Sequence, residues 1–465
     1  MSTTTMTKLC NSYPTTPQIM LECEKELEVL KETFKSGKTK EESWRRSQLK
    51  NLLKLLEEKE NDIFKALKQD LGKHKVEAYR DEVGTLVKSV HYALDGLKQW
   101  MSPKKAKLPI AAFPSSAELL PEPLGLVLII SSWNFPFSLS LEPLIGAIAA
   151  GNVVLLKPSD QAPASSSVLA KIIPNYLDNK AIKVIEGDYT VGDKLLQQKW
   201  DKIFFTGSPK VAQIVMGAAA KHLTPVTLEL GGKCPAIIDS LSSSWDKKVK
   251  LIKLGIPKML GENPKESHSI SRIVNKNQFL RLKNLLDEPM VKKSIIYGGS
   301  SDEDNLYIEP TVLLDPPLQS TIMTDEIFGP LLPIITLDKI EDSIEFINAR
   351  PKPLTIYAFT KNEEFKRKIT KGTSSGSLVF NDTIIQYAAD TLPFGGVGQS
   401  GFGRYHGKFS FDTFSHEKAI ARRSFLTDIW FRYPPWSDHT LQLFRSAFIY
   451  DYLSVVLITL GLKRA

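Results

Sequence analysis

The sequence predicts an α/β fold with a parallel sheet covered on both faces, and three observations carry that expectation. Apolar runs such as GLVLIISS (125–132), 152–156 and 203–206 are continuous rather than alternating, as strands buried on both sides are. Helix-period segments separate them, giving the strand–helix–strand rhythm of a parallel sheet. At 465 residues and 42% hydrophobic composition, the chain is long enough for two or three domains with full cores.

Taken in order, the N-terminal stretch MSTTTMTKLCNSYPTTP has no apolar core of the secretory kind and reads as a disordered lead-in over 1–17. Ile19, Cys23, Leu27, Leu30 and Phe34 recur at helical spacing and stop at Gly37. A second helix is expected from about Glu41 to Asp70, and a third from Val76 to Trp100. Pro103, Pro109, Pro114, Pro121 and Pro123 punctuate a connector over 102–123 that leaves room only for short edge strands.

From Gly125 the pattern becomes strand, Trp133-Asn134-Phe135-Pro136, a buried helix at 139–150, a strand at 152–156, then Lys157-Pro158-Ser159-Asp160. A helix at 165–177 and a short strand at 182–185 lead to the segment on which the chain is organised, 201–239. There the 203–206 strand meets Gly207-Ser208-Pro209, a helix follows, and a second strand ends in Gly231-Gly232-Lys233. This second strand delivers one carboxylate, Glu229, among apolar neighbours, which costs several kcal/mol unless the group is paired, neutral or used. Polar residues thus collect just past the strands, the edge at which open α/β sheets bind ligands.

A second α/β unit runs from Arg272 to Phe414: a helix near 277–286, strands SIIYGG and NLYIEPTVLLD, the turn Asp325-Glu326-Ile327-Phe328-Gly329-Pro330, then further strands and helices. The tail passes Tyr433-Pro434-Pro435 into an apolar segment at 447–462 whose uninterrupted part is too short to span a bilayer. Its aromatic flank and terminal Lys463-Arg464 suit a membrane surface or anchor, and a helix docked on a partner subunit is the alternative.

Several signals exclude other functions. The net charge of +8 is spread over the chain with no basic-aromatic stripe, so nucleic acid is not expected as a partner. Three cysteines (Cys10, Cys23, Cys234) make neither a disulfide framework nor a zinc site, and the scattered histidines imply no metal. Gly396–Gly401 matches GxGxxG but lacks the strand before and the helix after. Gly372–Gly376 matches GxSxG with the element order reversed, which disfavours a serine hydrolase.

Trp133–Pro136, Lys157–Ser159, Phe205–Ser208, Leu228–Lys233, Glu326–Pro330 and Pro393–Gly396 occur in this order and together resemble the aldehyde dehydrogenase superfamily. Arg404–Lys408, Phe414–His416 and Tyr433–Pro435 look like its class 3, fatty-aldehyde-type branch in plant-like form. The resemblance implies a Rossmann-like cofactor domain (18–230), a catalytic domain (231–415), an oligomerisation extension at 102–123 and a C-terminal tail (416–465). It implies NAD or NADP as cofactor, a medium- or long-chain aliphatic aldehyde as substrate, and a homodimer. The expected location is cytoplasmic, or held at an intracellular membrane by the tail.

In such enzymes a thiolate adds to the carbonyl, amide groups hold the oxyanion, hydride leaves for nicotinamide, and a base activates water. By resemblance Asn134 is the oxyanion donor and Glu229 the base. Trp133, Lys157, Asp160, Gly207, Ser208, Glu326 and Phe328 would line the cofactor. Ala212 stands where the family has Gly, a methyl expected to crowd either cofactor or sheet.

The family's nucleophile lies on a Gly-Gln-x-Cys loop after the Cys234–Asp239 strand. Here Gly261-Glu262-Asn263-Pro264 follows that strand almost at once, so the catalytic domain reads as truncated around 240–261, and no cysteine lies beyond 234. Cys234 itself is expected to be a buried structural residue. The chain is therefore expected to have lost aldehyde oxidation, leaving a cofactor-binding or dimer-forming scaffold as the alternative reading.

Overall fold

The protein is described from a computed structural model over residues 16–109, 112, 115–239, 245–425 and 430–463, so most of the expected lead-in lies outside the described residues. Helix α1 (Thr16–Lys35) ends before Gly37, which takes the left-handed conformation (φ 79°) that a Cβ disfavours. The single helix expected over 41–70 is two, α2 (Glu42–Glu58) and α3 (Glu60–Leu71), broken at Lys59. Neither glycine nor proline marks that break. It lets both apolar stripes turn inward, burying Leu49, Leu52 and Leu56 from α2 and Ile63 and Leu67 from α3. The third expected helix carries a wide π-type turn (Tyr79–Val83) between α4 (Lys75–Ala78) and α5 (Gly84–Met101).

Strands β1 (Lys104–Ala106) and β2 (Ser116–Pro123) precede the main sheet. That sheet is laid down as β3 (Leu126–Ile130), α6 (Ser138–Ala150), β4 (Val153–Lys157), α7 (Pro163–Tyr176), β5 (Ile182–Val184), α8 (Tyr189–Leu196), β6 (Lys202–Gly207), α9 (Pro209–Ala220) and β7 (Val226–Leu230). Only α8 was missing from the sequence reading. The spatial order is β7-β6-β3-β4-β5, every neighbour parallel, with Leu128 opposite both Leu155 and Ile203. Because the strands are parallel, Asn134, Lys157, Gly207 and Leu230 all lie at or just beyond the same edge.

The second half continues with β8 (Ala236–Ile238), α10 (Trp245–Leu260), α11 (Lys276–Asp287), β9 (Ile295–Tyr297), β10 (Ser301–Asp302), β11 (Tyr307–Ile308), β12 (Thr311–Leu314), β13 (Leu331–Ile334), β14 (Thr355–Phe359), β15 (Ser377–Phe380) and β16 (Gly401–Phe402). The run expected as one strand, NLYIEPTVLLD, is divided at Glu309-Pro310, where proline removes a ladder donor. Phe279, Leu282, Leu313, Ile322 and Leu331 form one core cluster around α11. Six of these strands make two three-stranded sheets, β13-β12-β9 and β15-β14-β8, while β10 and β11 pair with each other and β16 adds to the main sheet beside β7. Among the described residues β8 and β13 are both terminal strands, and Ile238 is 55% exposed.

Two compact units result: residues up to Leu97 with Pro123–Phe414, and Lys98–Glu122 with Ser415 to the end. In the second, β2 is the middle strand of a sheet ordered β1-β2-β17, where β17 is Ser415–Arg422. The connector was expected to hold only edge strands. Its prolines fit a middle strand because β1 covers only Ala117–Leu119, leaving Pro121 and Pro123 beyond its reach. Lys418–Glu122 (2.6 Å) and Arg422–Glu118 (2.6 Å) tie β17 to β2. The tail forms helices Asp438–Phe448 and Tyr452–Thr459, separated by Tyr450 at φ 61°, and none of the described helices is long and apolar enough to cross a membrane.

Candidate active site

Four strand ends build the floor of the site. Lys157 closes β4 and is buried, its Nζ donating to the Pro158 carbonyl at 3.3 Å. Burial lowers its pKa, while Asp160, in the turn after β4, and Asp188, before α8, oppose that shift. Gly207 ends β6, where a Cβ would stand 2.6 Å from Phe205 Cζ. Ser208 caps α9 by accepting from the Val211 N–H at 3.4 Å, with Pro209 in the first turn. A helix N-terminus rising from a strand end suits a phosphate. Ala212 is buried, so its methyl lies on the covered side of α9 rather than on the open face carrying Val211 and Ile214.

Beside this floor a cavity of about 510 Å³ is lined by Leu71, Trp133, Asn134, Arg272, Tyr307 and Phe328 among others. Trp133 and Phe328 meet edge to face at 5.1 Å. Phe328 holds φ 53°, a conformation a bulky residue keeps only when its surroundings fix it. Lys233 supplies part of that constraint, donating to the carbonyls of Ile322 (2.7 Å) and Asp325 (3.0 Å), and Arg281 supplies more, donating to Ile327 (2.6 Å). Glu326 is half-buried against the Gly231 α-carbon, where a side chain would collide with it, and it accepts from the Gly232 N–H. Sequence reasoning gave Glu326 to the cofactor; here its carboxylate is engaged by the turn after β7.

The segment carrying Asn134 is held by a pair that sequence reasoning missed. Lys73 Nζ and Glu82 Oε1 are 2.6 Å apart and both residues are buried. Lys73 also donates to the Asn134 carbonyl (2.9 Å) and sits 4.1 Å from the centre of the Phe135 ring. Glu82 Oε2 accepts from the Phe137 (2.9 Å) and Ser138 (3.2 Å) N–H groups that open α6. Desolvation raises the Glu82 pKa, and the Lys73 ammonium pulls it back. Glu82 lies on the π-type turn, a distortion frequent at functional sites. No spacing pattern announces this pair.

Glu229 stands in β7, 4% exposed, and neither carboxylate oxygen has a hydrogen-bond partner. Burial pushes its pKa well above the usual carboxylate range, which favours the neutral acid over the carboxylate. Thr206, its register neighbour on β6, also has an unpartnered buried hydroxyl. The glycine-rich segment closes over this point. Gly401 pairs antiparallel with Glu229, and a Cβ on Gly395 would lie 3.2 Å from Glu229 Oε1. The GxGxxG letters at 396–401 therefore belong to a backbone-close cover and edge strand.

Cys234 departs from expectation. It precedes β8 and is exposed, because β8 is a sheet edge rather than a covered strand. Desolvation, with the Glu326 carboxylate nearby, raises its thiol pKa and disfavours the thiolate, although the backbone amides of Thr355 and Leu354 oppose that shift. It is not among the residues lining the cavity that Asn134 and Phe328 share.

Comparison with known proteins gives this geometry a context. The family model "Aldehyde dehydrogenase family" matches residues 20–252 and 241–420, in two overlapping pieces. The Arabidopsis thaliana protein "Aldehyde dehydrogenase family 3 member F1" is 52% identical over 476 aligned positions, covering 95% of this chain and 98% of the relative. That alignment is longer than the 465-residue chain, so the relative carries residues with no counterpart here. A solved structure, "Substrate bound state of Staphylococcus Aureus AldH", superposes with a TM-score of 0.87 at 39% identity, covering 93% of this chain and 99% of that one. An indole-3-acetaldehyde dehydrogenase solved with NAD+ shares the fold at TM-score 0.79 and 22% identity, covering 87% of this chain and 89% of its own. On sequence, fold and the order of its motifs, this chain belongs to the aldehyde dehydrogenase family.

Proposed function

We propose that the chain binds NAD or NADP on an aldehyde dehydrogenase frame and lacks the group that attacks an aldehyde. The family's reaction is the NAD(P)-dependent oxidation of an aldehyde to a carboxylic acid, and the relatives' class points to medium- or long-chain aliphatic aldehydes. The cofactor, when bound, supplies the hydride acceptor. The residues present fit it: a buried ammonium at Lys157 with only a carbonyl partner, a capped helix end at Ser208 for the pyrophosphate, and Trp133 and Phe328 beside a cavity wide enough for a ring. In this reading Lys157 and Asp160 take the adenosine ribose, Asn134 offers an amide to the oxyanion, and Glu326 leaves the Gly231 turn to reach the nicotinamide ribose.

One observation carries the loss of chemistry. The only cysteine after the cofactor sheet, Cys234, lies before a sheet edge with a raised thiol pKa and is not among the residues lining the Asn134 cavity. A missing stretch between β8 and α10 accounts for the split family match, the long alignment and the open edges of β8 and β13. Glu229, buried with its pKa raised, then has no thiol of the missing loop to serve.

Titrating the protein with NADH and following cofactor fluorescence tests the binding half: saturable binding is expected, and Lys157→Met weakens it by about tenfold or more, the value of one charge-assisted hydrogen bond. No binding of either reduced cofactor contradicts the reading. Homodimer formation through the exposed β17 edge, and contact of the C-terminal helices with an intracellular membrane, complete the proposal. Exposed Phe448, Ile449, Leu453 and Leu460 support the latter.

A further inference from the structure

Helix α10 (Trp245–Leu260) is the element that follows the shortened 240–244 junction. Residues 241–252 are matched by the family model from both sides, so the helix spans the place where two family segments meet. Its sequence, WDKKVKLIKLGIPKML, holds five lysines against one aspartate. Ile252, Ile256 and Leu260 are half-buried and face inward. On the other side Leu251 (69% exposed), Leu254 (58%) and Met259 (78%) stand in solvent, with Lys250 and Lys258 exposed between them. Leu251, Leu254 and Lys258 fall at i, i+3 and i+7, which makes one stripe.

We propose that this stripe is a docking surface for an anionic lipid bilayer. A helix lying in the interface buries its apolar side chains at the acyl boundary while lysines reach outward to acidic headgroups. The charge complementarity selects that occupant: a second copy of the chain, itself at +8, would bring the same lysines face to face. An interior protein surface would also leave the Lys250 and Lys258 ammonium groups to be desolvated or paired. The surface is separate from the tail, which contains its own apolar helix, and the inference does not depend on cofactor binding.

The test is co-sedimentation of the full chain with phosphatidylcholine vesicles, with and without phosphatidylserine, at low and high salt. Partition onto the serine-containing vesicles is expected, falling at high salt, and Leu251→Gln/Leu254→Gln lowers it about fivefold or more. Lys250→Gln/Lys258→Gln, exposed changes that leave the core intact, lowers it about thirtyfold at low salt, given roughly 1 kcal/mol for each lysine at an anionic surface. NADH binding and the thermal melt check that each variant is folded. Equal partition onto neutral vesicles overturns the proposal. So does binding that both α10 variants leave unchanged, or binding that only Leu453→Gln/Val456→Gln in the tail removes. Loss of self-association in Leu251→Gln/Leu254→Gln without loss of vesicle binding assigns the stripe to a second copy and equally overturns it.

Discussion

At the scale of single residues, the buried carboxylates decide how the protein responds to mutation and pH. Glu82 and Lys73 are out of water together, so removing one strands the other. Lys73→Met alone is expected to cost about 3–5 kcal/mol in denaturant unfolding, whereas Lys73→Met/Glu82→Leu recovers most of that stability but weakens NADH binding by freeing the Asn134 segment. Full NADH affinity in the double variant counts against the pair as a support for that segment. Glu142 on α6 is a second case: burial, with Asp390 nearby, raises its pKa from 4.5 to about 7. Between those values the folded protein keeps a proton that the unfolded chain has released, so this group's contribution to stability falls as pH rises through the window. Glu142→Gln cannot ionise and is expected to gain about 3 kcal/mol on wild type between pH 4.5 and 7, read from paired urea melts. Equal pH profiles for the two proteins refute this. Glu229 was legible in the sequence because a lone carboxylate in an apolar strand demands a reason. Lys73 and Glu82 were not, since Lys73 sits in the short loop after Gly72 and Glu82 in ordinary amphipathic text on the π-type turn.

Among the elements, the parallel strands were readable because burial on both faces leaves an uninterrupted apolar run, and the polar residues after each strand marked the ligand edge. Breaks that relieve packing rather than follow turn chemistry escaped notice: the α2–α3 break at Lys59 has no glycine or proline to signal it. Cys234 was misjudged for a similar reason. An apolar strand is covered only if a neighbour strand exists, and β8 lies at an edge. The glycine-rich cover was recognised as no dinucleotide fingerprint, but its purpose emerged only from its pairing with β7. Gly401 takes φ 121° and a Cβ there would collide with the Leu228 carbonyl oxygen. Gly401→Ala is therefore expected to unpair β16 and cost about 2 kcal/mol or more, measured as a lower melting temperature, with Glu229 opened to solvent. A melt unchanged within error rejects the close-backbone account of this segment.

For the whole molecule, the proposed reading is a family frame that keeps its cofactor sheet without the nucleophile. The six-stranded sheet, the strand-end residues and the Trp133–Phe328 contact are retained, and they require only the segments the sequence still contains. Among the described residues the second half is divided into short sheets, β13-β12-β9, β15-β14-β8 and the pair β10-β11, and its cysteine, Cys234, does not line the cavity that Asn134 and Phe328 share. Binding and catalysis should therefore come apart in one protein. The decisive measurement is steady-state NADH formation from NAD with an aliphatic aldehyde such as octanal, run beside Glu229→Gln. The account predicts no aldehyde-dependent NADH above that control. Turnover that exceeds it and disappears in Cys234→Ala would contradict the account, because Cys234 would then be supplying the attack that its position and raised pKa deny it.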